Sequence, residues 1–134
     1  MTFSKSWPFQ QMVWTALEAA LPDVPGFSYA PANSPDRYWR IDGLSNVPTD
    51  EYKNNSAGRH AFTLHLIDSP DEGTDSLKWV QETLAVAVAA LEGLKLDGSA
   101  EGLRPETGEA RLEARADGIN DAHAFVRLRS RLTG

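Results

Sequence analysis

Apolar positions recur every three or four residues near the start of the chain, then every two, then every three or four, then every two again. Phe9, Val13, Ala16, Leu17 and Ala20 form the first stripe, which predicts a surface helix with Ser6 as N-cap and Pro8 in the first turn, where a missing N–H costs nothing. Leu21-Pro22-Asp23-Val24-Pro25-Gly26 ends it, because proline pushes its predecessor out of the helical region. Trp7 and Trp14 are expected to widen the apolar face by buried packing. Residues 27–36 read as a short extended piece and a proline-rich loop. Arg37 to Leu44 then alternates, with Trp39 and Ile41 on one side and Arg40 and Asp42 on the other, which predicts a strand. Ser45 to Gly58 is a polar, turn-rich connection, longer than a hairpin usually needs. Arg59 to Asp68 is the clearest strand: Phe62, Leu64 and Leu66 face one way, Ala61, Thr63 and His65 the other.

After the break at Ser69-Pro70-Asp71-Glu72-Gly73, the helical period returns in Leu77, Val80, Leu84, Val88 and Leu91. The predicted helix runs from about Asp75, as N-cap, to Glu92 and stops at Gly93; acids at 71, 72 and 75 suit the positive end of its dipole. Ala85, Ala87, Ala89 and Ala90 would let it lie close to a sheet. Leu96 to Glu109, rich in glycine and acids, reads as a loop. The chain closes on a β-hairpin, Ala110 to Ala116 and Ala122 to Leu132 around the turn Asp117-Gly118-Ile119-Asn120-Asp121. This order predicts one α+β domain spanning 1–134, a mostly antiparallel sheet of about four to five strands with two helices packed on one face.

Composition narrows the function classes. With 134 residues the chain can hold one core without metal or disulfide support. It has no cysteine, which removes thiol catalysis and cysteine metal sites and suits a reducing cytoplasm. Met1 to Pro8 lacks the apolar core of a signal peptide, and the longest apolar run, Leu84 to Leu91, is far too short to cross a bilayer. A soluble, unsecreted protein without membrane contact is expected. The net charge of −6 argues against a dedicated duplex-DNA binder, but it is unevenly spread. Residues 61–110 hold 3 basic and 10 acidic side chains, residues 111–134 hold 5 arginines and 3 acids. Opposed charge of this kind would suit contact between copies, and equally two solvated faces of a monomer.

No catalytic, cofactor-binding or metal-ligating set emerges. His60 and His65 stand five apart on one predicted strand and so face opposite ways, and with His123 they show no zinc-ligand spacing. Asp97-Gly98-Ser99-Ala100-Glu101-Gly102 matches neither the phosphate loop nor the dinucleotide fingerprint, and there is no serine elbow or kinase set. The one polar constellation with geometry behind it is the row Arg127, Arg129 and Arg131, with Arg111 and Arg115 across the hairpin. All five can share one sheet face, left free for solvent, or for an acidic neighbour or nucleic acid bound through charge-assisted hydrogen bonds.

Three stretches resemble the tail terminator (tail-completion) proteins of long-tailed phages and gene transfer agents. They are the strand, polar loop and strand ending in Arg59-His60-Ala61-Phe62-Thr63-Leu64-His65-Leu66, the alanine-rich helix Leu77 to Leu91, and Asp117-Gly118-Ile119-Asn120-Asp121-Ala122-His123-Ala124-Phe125-Val126-Arg127-Leu128-Arg129. The resemblance implies a non-enzymatic virion protein without cofactors, assembled in the host cytoplasm and located at the tail or neck. Its expected form is a ring, a hexamer, that caps the tail tube protein, ends polymerisation and joins the head-completion or connector protein. DNA would pass through the lumen without sequence-specific contact. On this reading the loop Thr49 to Gly58, with Asp50, Glu51, Tyr52 and Lys53, reaches a neighbouring subunit or the tube, and Arg111, Arg115, Arg127, Arg129 and Arg131 form the subunit or partner interface. Rival readings are another neck or head-completion protein, a tail-tube or minor tail subunit, and a small hydrolase or ligand-binding enzyme using His65 or His123 with an acid.

Overall fold

The computed structural model describes residues 6–29, 35–48, 58–69, 77–95, 102–114, 116 and 118–132. Ser6 and residues 46–48, 58, 131 and 132 are described by their backbone only. Asp50, Glu51, Tyr52, Lys53 and Arg115 lie outside the described residues, as do the acids expected ahead of the second helix.

The elements in chain order are α1 (Ser6–Ala20), β1 (Gly26–Phe27), β2 (Arg37–Pro48), β3 (Gly58–Asp68), α2 (Leu77–Leu91), β4 (Arg104–Ala114) and β5 (Asn120–Leu132). The strands form one sheet in the order β1-β2-β3-β5-β4, antiparallel throughout except for the parallel β1–β2 pair. The α+β architecture expected from the hydrophobic periods is therefore present. β5 is inserted between β3 and β4, so the closing strand of the chain sits inside the sheet.

Strand alternation gives the sheet one apolar face. Trp39 and Ile41 of β2, Phe62, Leu64 and Leu66 of β3, and Ala122, Ala124, Val126 and Leu128 of β5 are all buried on it. Both helices cover that face with their own stripes: Phe9, Val13 and Leu17 from α1, continued by Leu21, and Val80, Ala87 and Leu91 from α2. Leu84 and Val88 are only partly buried, and the fully buried Ala87 brings α2 close to the strands. Gly93 ends α2 at φ +85°, a backbone angle that favours glycine, and its N–H donates to Leu103 O at 2.9 Å.

Trp39 anchors the β1 side of the core. It is fully buried, its Nε1–H donates to Val24 O at 3.1 Å, and its ring meets that of Trp14 edge-on at 4.6 Å between centroids. Gly26 runs directly across the indole: a Cβ there would lie 2.1 Å from it. Trp7 departs from expectation. It is 63% exposed and adds nothing to the core.

Two strands are longer than their patterns indicate. β2 continues past Leu44 to Pro48 through a bulge between Asp42 and Ser45, with Gly43 at φ +61°. The extra residues shift the alternation, so the second half of β2 reads as loop. β4 begins at Arg104, inside the stretch read as a loop to Glu109. Pro105, a bulge between Pro105 and Thr107, and exposure of almost every residue remove the period-two signal there.

Candidate interaction site on the open sheet face

The face away from the helices carries the polar phase of each strand, and its residues are joined to one another. His65 Nε2 donates to Asp42 Oδ1 at 2.9 Å, His65 Nδ1 and His123 Nε2 share a hydrogen bond of 2.8 Å, and His123 Nδ1 donates to Glu113 Oε1 at 2.8 Å. Register explains the arrangement. Asp42 pairs with Thr63, His65 with Phe125, His123 with Arg111, and Glu113 with Asp121. Each partner in the relay is thus the diagonal neighbour of the next on adjacent strands, within reach of a long side chain. The chain of contacts crosses four strands, β2, β3, β5 and β4. The histidines are enclosed, with side chains 13% exposed each, whereas Asp42 and Glu113 are near 43% and 42%.

Three contacts need three hydrogens, whereas two neutral imidazoles supply two, so the full set of bonds forms only when one ring is protonated. Burial pushes His65 below 6.5 and outweighs the opposing pull of Asp42, which works against charging His65 near neutral pH. Glu113 is held below the usual carboxyl value by its bond to His123 first and to Arg111 second.

Beside the relay, Arg127 Nη1 donates to Gly43 O at 2.8 Å and to Thr63 Oγ1 at 3.0 Å, and its Nη2 donates to Ser45 Oγ at 3.1 Å. The guanidinium therefore fastens the β2 bulge to β3 and β5. Arg129 Nε meets Glu106 Oε1 at 2.8 Å, and Arg111 meets Glu113 at 2.9 Å and Glu109 at 3.7 Å. Arg111, Arg127 and Arg129 do share the face predicted for them, but that face is not free: each of the three is engaged within the chain. Arg131 is placed by its backbone only, opposite Arg59.

His60 has a different surrounding. It is 2% exposed on the helix side, its ring 5.3 Å from that of Phe9, and its Nε2 has no hydrogen-bond partner among the described residues. Burial pushes it below 6.5 and keeps it neutral. His60 and His65 thus lie on opposite faces. Among the described residues no group of three or more His, Asp or Glu is arranged to hold a metal ion, and no helix is long and apolar enough to cross a membrane. Two surface grooves, one along Trp7, Gln10, Trp14 and Ser28 and one between Pro22 and Trp79, contain none of the relay residues.

Comparison with known proteins adds the fold's relatives. No family model matches the chain, and no curated protein matches it. A solved structure does. The chain is similar to a protein of the "Virion of native gene transfer agent (GTA) particle", with a TM-score of 0.63 over 93% of this chain and 94% of that one, at 16% sequence identity. At that identity the likeness establishes a shared fold.

Proposed function

We propose that the chain is a structural virion protein that forms a ring, hexameric on the family resemblance, capping the tail tube and providing the joint to the head connector. The observation that carries this reading is the end-to-end fold likeness to a gene transfer agent virion component, with almost all of both chains aligned. Side-chain chemistry agrees with a non-enzymatic role. A catalytic histidine needs a ring nitrogen aimed at substrate. All four nitrogens of His65 and His123 are instead taken up by each other and by Asp42 and Glu113.

On this reading the open face is a cross-braced plate, and the partner contacts are assigned to Arg129, whose exposed pair with Glu106 can exchange partners, to Arg131 and Arg115, and to the stretch containing Asp50, Glu51, Tyr52 and Lys53. Arg127 acts within the subunit by holding the β2 bulge. The test is deletion of the gene in a particle-producing cell, with complementation by the native sequence and by an Arg129→Glu, Arg131→Glu form. Deletion should give tails of irregular, excessive length that do not join heads, and native sequence should restore them. Tails of normal length joined to heads in the deletion strain would overturn the role. Rescue by the charge-reversed form would overturn the arginine assignment alone.

A further inference from the structure

β4 is an edge strand: β5 lies on one side of it, and no strand lies on the other among the described residues. Only Ala110 and Glu113 of its residues are part-buried; the rest are exposed. Proteins guard such edges with proline, bulges, short strands or charged side chains. Here Pro105 and the bulge that follows it stand at one end, and the charges beyond them, Glu109, Arg111 and Glu113, are of mixed sign. From Thr107 to Ala114 the register with β5 is unbroken and contains no proline, which leaves a long, regular outer edge.

The side chains of that segment complement themselves. Leu112 is 46% exposed on the helix side, while Arg111 and Glu113 project from the other face with exposures of 48% and 42%. Lay two copies antiparallel with the two-fold axis at Leu112. Each Arg111 then stands opposite Glu113 of the second copy, Ala110 opposite Ala114, and the two exposed leucines meet. Directly opposite residues share a face, so each Arg111–Glu113 pair falls within contact distance in this register. Moving the axis by one residue sets Arg111 against Arg111 or Glu113 against Glu113. An axis at Ala110 keeps Arg111 against Glu109 but sets Leu112 against Gly108, so charge and the meeting of the exposed leucines together select the register.

We propose that β4 is a dimerisation edge through which two copies of this chain pair antiparallel about Leu112, joining their sheets into one. The contact is two-fold and closes on itself, so it is distinct from the head-to-tail contact a ring requires, and it stands independently of the ring reading. Arg111 and Glu113 already bond within the chain, but exposed ion pairs exchange partners at little cost.

The test is the mass of the purified full chain in solution over a dilution series. The native protein should run at twice its 14.7 kDa chain mass and dissociate on dilution. Arg111→Glu sets glutamates against glutamates and Leu112→Lys sets lysines against each other; each should raise the dimer dissociation constant by roughly tenfold or more. Glu113→Arg should do the same, and mixing it with Arg111→Glu should regenerate a heterodimer, because the two reversed edges complement one another. Leu112→Lys leaves the histidine relay untouched and decides the matter if Glu113→Arg fails to fold. A native protein that stays at 14.7 kDa, or an oligomer whose dissociation neither Arg111→Glu nor Leu112→Lys alters, overturns the proposal.

Discussion

Replacing His65 and His123 by alanine, singly and together, measures the central bond of the relay directly. His65→Ala loses the bond to Asp42 and the inner bond; His123→Ala loses the inner bond and the bond to Glu113; the double variant loses all three. The sum of the single losses therefore exceeds the double loss by the inner bond alone, the logic of a double-mutant cycle. Both rings are 87% enclosed, so solvent competes little for this bond, and it should contribute about 0.5–1.5 kcal/mol. The outer bonds reach carboxylates more than 40% exposed and should contribute less, roughly 0.5–1 kcal/mol each. Urea unfolding near neutral pH, with unchanged dependence on denaturant, gives the four stabilities. Repeating the cycle in mildly acid buffer should enlarge the coupling, because a third proton lets all three contacts form at once. Additive single losses, or a coupling indifferent to acid, would refute the proton count.

Two further outcomes follow from residues of the core. Gly26→Ala should destabilise by about 3 kcal/mol or more, because its Cβ would enter the buried Trp39 ring, and neither the ring nor the backbone has room to give; thermal melting within a degree or two of the native protein would refute this. His60→Leu should flatten the fall of stability on acidification. The folded chain resists protonating His60 below 6.5 while the unfolded chain does not, so the unfolded state binds more protons there and stability is lost as pH falls from 6.5 toward the depressed value. The slope should be reduced rather than abolished, since His65 is lowered in the same direction; an unchanged slope between neutral and mildly acid melts would show that His60 does not contribute.

The parts of the fold that the sequence discloses are those where burial differs between the two sides of an element. β3 and β5 alternate cleanly because one face meets the helices and the other does not, and the stripes of α1 and α2 are legible for the same reason. β4 is exposed on both faces at its start, so it has no period to read. β2 loses its period where Gly43 and Leu44 bulge. The relay is hidden for another reason. His65 and His123 each sit on the polar phase of a strand, but their meeting depends on β5 lying next to β3 in one register, with His65 opposite Phe125. Local pattern does not choose a strand neighbour 58 residues away.

The arginine row shows how a correct face can carry an incorrect role. Alternation places Arg111, Arg127 and Arg129 together on the side away from the core, and counting charge by segment suggests that they wait for an acidic partner. Position along the chain does not say what stands across the strand. Glu106, Glu109 and Glu113, all counted as part of the acid-rich middle and the hairpin, fold back beside those arginines, and the β2 bulge presents a bare carbonyl at Gly43 to Arg127. Once these contacts form, the interior of the face has little unspent charge to recognise anything. Recognition moves to where the ladder ends. At the outer side of β4 the backbone groups facing away from β5 meet no further strand among the described residues, and the alternation Glu109, Arg111, Glu113, which braces the subunit from within, is also the sequence that fits a second copy of itself.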